Sequence, residues 1–228
     1  MKSILAWHWS DGLKCRYDDR PIVPGQTLVY KGEEPIELCL RGLHASTKIL
    51  DALAYAPGTT ISRVRLSGEI IRGTDKIVAT HRTCLWSFDA KYTLISWSAD
   101  CAERALLRER KAGREPDPTC FEAIEAARRF VEDPSEENQA AAFAARNAAG
   151  AASNAAGPIS YAASASHCAA SASHCAASAA RDAAYSAYYA ANAAGYAVWA
   201  AGRAVSEKER KWQSARLRNL IAAERAKI

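Results

Sequence analysis

Two kinds of apolar spacing divide the chain. Up to about residue 97 the apolar positions alternate or form short runs, as strands require. From Ser98 onward they recur every three or four residues, as helices require. Thr60–Ile71 (TISRVRLSGEII) alternates apolar and polar positions and reads as a half-buried strand, and Ile77–Phe88 (IVATHRTCLWSF) as another. Ser3–Trp9 is a candidate first strand. Gln26–Tyr30 and Ile36–Leu40 are short candidates around the Lys31–Pro35 turn, and Lys91–Trp97 is a weaker one. A helix is expected from about Thr47 to Tyr55, capped by Ser46 or Thr47 and ended by Pro57-Gly58.

In the second half Ser98 can cap a helix to about Ala112. Asp117-Pro118 opens the next, with Asp as cap and Pro in the first turn. Asp133-Pro134 repeats the device, with Glu136 placed for a capping box, and Ser206 with Glu209 forms another such box ahead of a last helix. Between them runs an alanine ladder. Ala162, Ala169, Ala176, Ala183, Ala190, Ala197 and Ala204 follow one another by sevens, and parallel rows put a wide small-residue face on one helix. An earlier run repeats the spacing at Ala142, Ala149 and Ala156, and Gly157-Pro158 separates the two.

Alanine has the highest helix propensity but buries little, roughly 0.8 kcal/mol per methyl-sized group. Such a face gains from close backbone approach, near the roughly 8 Å lower limit of interhelical distances, and must have a partner helix. At about 1.5 Å per residue, Ser135–Ala156 spans roughly 33 Å and Ile159–Ala204 roughly 69 Å, so the shorter arm cannot cover the longer. A break near Gly195 or Gly202 within a compact domain is expected. A long coiled coil, and with it a homodimer, is the alternative. The fold class expected is α+β: a small mixed α/β domain over residues 1–97, then an alanine-rich all-α domain over 98–228.

Composition narrows the function classes. The 228 residues are 49% hydrophobic and 24% charged, enough for one large domain or two small ones. The net charge of +5 is diffuse: residues 1–99 carry 13 basic and 10 acidic side chains, and residues 100–228 carry 17 and 15. That argues against a nucleic-acid partner. Seven cysteines, an odd number without framework spacing, suit a reducing cytosol. No signal peptide or stretch of about 18 apolar residues is present, so a cytoplasmic protein away from the membrane is expected.

Three groups of residues invite functional readings. His167-Cys168 and His174-Cys175 suggest a metal, but residues seven apart on a helix lie about 10.5 Å apart along its axis, too far for one zinc; no metal site is expected. Tyr185, Tyr188, Tyr189, Tyr196 and Trp199 flank the second alanine helix. They are either core or a partner-binding patch, since Tyr and Trp are favoured anchors. Trp7-His8-Trp9-Ser10 and Gly42-Leu43-His44-Ala45-Ser46, followed by Ala52 and Tyr55, resemble the first strand, second strand and helix of ADP-ribosyltransferases. That resemblance implies NAD as cofactor and His8, His44 and Tyr55 as catalytic candidates. His44 stands where a stacking aromatic belongs, and no late-strand acid is evident, Glu69 and Asp89 being poorly placed.

Asp100-Cys101-Ala102-Glu103-Arg104, Ala123–Arg128, the alanine run and Trp212-Gln213 ahead of Leu217 and Leu220 resemble a family of all-helical immunity proteins from bacterial polymorphic toxin systems. Cys39, Gly42–Ser46, Asp51-Ala52-Leu53 and Tyr55 are similar to an uncharacterised domain of phage and bacterial genomes. The function implied is a protein-binding factor without cofactor, immunity-like or a phage counter-defence inhibitor, that occludes a protein partner. An NAD-using ADP-ribosyltransferase with an appended helical interaction domain is the alternative.

Overall fold

The structure, a computed structural model, describes residues 3–15, 19–155, 161, 164, 167–168, 183–201 and 206–228, and of residues 152–155, 183–188, 190, 191 and 198 the backbone alone. The chain divides into two units, Met1–Ala90 and Lys91–Ile228. The first holds a five-stranded antiparallel sheet and the second holds helices, so the fold is α+β.

In the first unit β1 (Ile4–Ser10), β2 (Thr27–Val29), β3 (Leu43–Ala45), β4 (Thr60–Arg72) and β5 (Ile77–Asp89) accompany one short helix, α1 (Ile49–Leu53). The sheet runs β1-β4-β5-β2, and β3 also pairs with β5. Ser46, the residue after β3, exchanges two backbone hydrogen bonds with Trp7 of β1, at 2.7 and 2.9 Å. The β3 segment therefore touches both β5 and β1 and curls the sheet toward closure. Ala6, Ala45, Val64, Leu66, Ile77 and Ala79 form its core.

The β4–β5 hairpin dominates the sheet, and each strand extends one residue beyond the alternating segment read from sequence. A register shift falls between Ser67 and Ile70, where Gly68 has φ 77°. A Cβ there would lie 2.1 Å from Thr80 Oγ1, so only glycine fits the bulge.

Two local expectations fail in this unit. Ile36–Leu40 is not a strand: Glu37 and Arg41 pair across a tight turn, with Arg41 N–H donating to Glu37 O at 3.0 Å and Cys39 at φ 69°. The first helix begins only at Ile49, with Lys48 at its N-cap and no side-chain cap. Ser46 is committed to Trp7 instead.

The second unit is built on α2 (Lys91–Lys111), which packs against α3 (Pro118–Glu132), α5 (Ala183–Ala200) and α6 (Ser206–Arg225); α4 (Glu136–Ala155) packs on α3. Lys91–Trp97, expected as a strand, is the start of α2. Its β-favouring residues are overridden by burial, since Leu94, Ile95 and Trp97 are wholly inaccessible. Ser98 is interior to that helix and donates to Ile95 O at 2.8 Å rather than capping it.

The alanine faces are covered where the chain is described. Ala142 and Ala149, one heptad apart on α4, are fully buried, and Ala149 packs with Ala123 of α3. Ala193, Ala194 and Ala197 of α5 are buried too. Because α5 continues through Gly195, the break expected there does not occur. Gly202 and most of the ladder between 157 and 182 lie outside the described residues.

Directional contacts set the helices against one another. The Trp97 indole N–H donates to the backbone oxygen of Gln213 on α6 at 3.0 Å, and the Gln213 amide donates to Ala194 O on α5 at 2.8 Å. Glu209, 1% exposed, accepts from Arg104 Nε at 2.9 Å and from Arg108. It is an interhelical carboxylate and not the capping-box partner of Ser206. Asp117 caps α3, accepting from Thr119 N–H at 2.9 Å behind Pro118. The box expected between Asp133 and Glu136 is replaced by Ser135, which accepts from Asn138 N–H at 3.4 Å, and by the Asn138 amide, which bonds Asp133.

Trp97→Phe removes one buried hydrogen bond and leaves a void, and should cost roughly 2–4 kcal/mol in chemical denaturation. Glu209→Leu strands two guanidinium groups and should cost about 2–3 kcal/mol, the half-exposed arginines moderating the loss.

Candidate functional site

A cavity of about 390 Å³ opens in the first unit between β1, the loop into β3, and α1. His8, His44 and Tyr55 all line it, so the structure brings the three catalytic candidates to one place. His8 is half-buried, and its Nδ1 is fully buried without a hydrogen-bond partner among the described residues. Burial, then the charges of Arg82 and His44, holds its pKa well below the usual 6.5. The Cys39 backbone N–H donates to His44 Nε2 at 3.0 Å, which places the neutral ring's proton on Nδ1. Burial lowers the His44 pKa, the Gly42 backbone opposes that, and the charges of Lys76 and Arg82 reinforce it. Tyr55 sits at the rim, its hydroxyl donating to Asp75 and the Lys76 ammonium 3.9 Å from its ring centre.

Sequence reasoning missed the residue beneath them. Arg82 is 5% exposed, and donates to His44 O at 2.9 Å and to Cys15 Sγ at 3.4 Å. Its signal was a cation on the inward-facing row of β5, two residues before buried Cys84. Arg20, Arg41 and Lys76 also line the cavity, and no Asp or Glu is among its described lining residues. Glu69 lies outside it, and Asp89 accepts from Thr59 at 2.6 Å elsewhere.

In the second unit Tyr196 and Trp199 lie three residues apart on α5, and Tyr161 meets both. Ring centres are 6.4 Å apart for Tyr161–Tyr196, 5.3 Å for Tyr161–Trp199 and 6.2 Å for Tyr196–Trp199. Trp199 is 63% exposed and Tyr161 44%. Tyr189 is half-buried, and the Tyr185 and Tyr188 side chains lie outside the described residues. Tyr161 was not among the expected patch residues, because it stands at the far end of the ladder in sequence.

His167 Nδ1 lies 2.9 Å from Arg146 O, and a Cβ on Gly150 would come 2.9 Å from the same ring nitrogen. The imidazole is thus an interhelical wedge on α4. His174 and Cys175 lie outside the described residues, and among those described no three His, Cys, Asp or Glu side chains gather as metal ligands.

The family described as "Imm-5 like putative immunity protein" matches residues 86–220. The chain belongs to this family. No curated protein matches the chain, and no solved structure does. The match takes in the end of β5 and most of the helical unit of this Imm-5-like chain. Residues that carry the resemblance meet, with Arg216, in partly exposed contacts between helices: Arg128 binds Asp100 at 3.3 Å and Glu103 at 2.7 Å, Arg216 binds Asp100 at 2.7 Å, and the Arg104 guanidinium lies 4.5 Å from the Trp212 ring. These contacts tie α2 to α3 and α6, so they hold the scaffold. The surface aromatics are a separate feature. Among the described residues no helix is long and apolar enough to cross a membrane.

The depressed His8 pKa has a definite sign for stability. The unfolded chain takes up a proton below pH 6.5 that the folded chain refuses, so stability is full above that value and falls as the pH drops below it. The slope is at most about 1.4 kcal/mol per pH unit for one histidine. Denaturation at pH 7.5 and 5.5 should show the loss, His8→Asn should reduce it, and an NMR titration should find the His8 ring still neutral below pH 6.5.

Proposed function

We propose that this chain is an immunity factor that binds a partner protein of the toxin class and occludes it, the same physical act serving if its setting is counter-defence. Membership of the Imm-5-like family supports protein binding as the activity. The observation that carries the reading further is the pair of exposed rings, Tyr161 and Trp199, braced against the half-buried Tyr196. Large rings already braced against one another give contact area at small entropic cost, which is why Tyr and Trp dominate binding hot spots. Neutralisation by occlusion needs no catalytic group. It needs affinity, roughly 12 kcal/mol for a nanomolar complex, of which two or three aromatic anchors can supply a large share.

An NAD-using transferase is the second reading, and the gathering of His8, His44 and Tyr55 in one cavity favours it. It lacks an acid among the described lining residues, and the His44 Nε2 already accepts from the Cys39 N–H. Release of nicotinamide from NAD is its direct assay.

Trp199→Ala should leave helicity and thermal stability nearly unchanged, since Trp199 is largely exposed, and adding Tyr196→Ala, a half-buried ring, should cost about 1 kcal/mol without loss of helicity. Calorimetry with the toxin domain recovered on the tagged chain should then show a loss of affinity of about 2 kcal/mol or more. Equal affinity in the double variant, or a toxin that stays active when saturated with the chain, would reject the reading.

A further inference from the structure

We infer that the cavity of the first unit is a binding site for a nucleoside monophosphate, an aromatic base carrying a single phosphate. Every residue lining it precedes the family match at residue 86, so the site is independent of the immunity reading and adds a second activity to the chain.

Charge comes first. Arg20, Arg41, Lys76 and Arg82 line the cavity without any carboxylate among the described lining residues. Arg41 is paired outside it with both Glu34 and Glu37, and Lys76 sits at the rim against Tyr55, but Arg82 is carried on a central strand and is 5% exposed. A cation placed in low dielectric focuses potential into the cleft in front of it. Both lining histidines are held below the usual 6.5, chiefly by burial, with the Arg82 charge a lesser cause for each. An anionic group is the natural complement, and phosphate takes charge-assisted hydrogen bonds from guanidinium and ammonium together.

The apolar lining names the rest of the ligand. Trp7, Trp9, Tyr30 and Tyr55 are among the lining residues, and a planar base offers a face to rings and polar edges to donors. Trp9 is 4% exposed, yet its indole Nε1–H has no hydrogen-bond partner among the described residues, and the buried His8 Nδ1 likewise has none. Buried polar atoms are nearly always satisfied, and neighbouring residues of a strand face opposite sides of the sheet, so one ligand can answer only one of these two. His8, which lines the cavity with His44 and Arg82, is the one whose Nδ1 a base's exocyclic amine can answer. Size then limits the ligand. At about 390 Å³ the cavity is near the lower end of small-molecule sites, which run from roughly 300 to 1,000 Å³. That suits one base, one sugar and one phosphate better than a dinucleotide.

The test is calorimetric titration of the full chain with AMP, GMP, CMP and UMP in turn, with adenosine, inorganic phosphate and NAD as comparisons. At least one monophosphate should bind in the micromolar range, and its nucleoside roughly tenfold or more weakly, because the charge-assisted contacts are lost. Lys76→Gln, at the exposed rim, should weaken the monophosphate several-fold without disturbing the fold. Arg82→Gln should weaken it further, with circular dichroism confirming that the sheet persists. No binding by any of the four at millimolar concentration overturns the inference. So does nucleoside binding as tight as nucleotide, or unchanged affinity in a folded Lys76→Gln, Arg82→Gln double variant. Conversion of NAD to nicotinamide would replace it with the transferase reading. Partner binding lost in the Trp199 and Tyr196 variants would be untouched by any of these results.

Discussion

The helical unit depends on one chain of hydrogen bonds through its interior, from the Trp97 indole to the Gln213 carbonyl and from the Gln213 amide to Ala194. Alanine faces allow helices to approach closely, but they are nearly featureless. A face of methyl groups repeating every seven residues offers similar contacts after a shift of one repeat. Bonds with direction remove that freedom. Trp97 can reach its acceptor in a single register of α2 against α6, and Gln213 fixes α5 in the same step. Glu209, buried between α2 and α6 with Arg104 and Arg108, adds a charged restraint that a slipped register would leave unpaired. Small side chains supply proximity here, and a few polar side chains supply uniqueness.

The first unit solves a different problem. Its sheet holds a cationic residue, Arg82, on the inner row of its longest hairpin, where the surroundings must accept the guanidinium's protons. The His44 carbonyl and the Cys15 sulfur do so. The β3 strand carrying His44 is in turn held by the turn at Cys39, whose amide fixes the His44 ring, and by Gly42, whose φ of 110° and approach to Val78 admit no side chain. The cavity's shape is thus set by backbone features at its margin, while its chemistry comes from strands behind it.

The legibility of the sequence followed how local the physics was. Strands β4 and β5 were readable almost to the residue because their alternation is decided by one buried face. The Asp117-Pro118 helix start was readable because a cap is a contact between near neighbours. Lys91–Trp97 misled, since Tyr, Thr, Ile and Trp favour strands on their own and become helical only through burial among α3, α5 and α6. Glu209 misled for a related reason: its spacing from Ser206 suits a cap, but two arginines about a hundred positions away claim it. His8, His44 and Tyr55 were legible as a group from their motif, whereas Arg82, Trp9 and Tyr161 join their sites only through pairing between distant strands or helices.

Ser46 has a consequence beyond the shape of the sheet. Its two bonds to Trp7 occupy the middle rung on the outer side of β1, a seven-residue strand that is largely apolar. Such a strand left open would invite another chain to add itself, which is how native sheets begin to aggregate. With that rung taken, a stranger would have to displace the protein's own segment before it could pair along the full strand. The bend that helps shape a ligand-sized hollow therefore also guards newly made copies of the protein against one another.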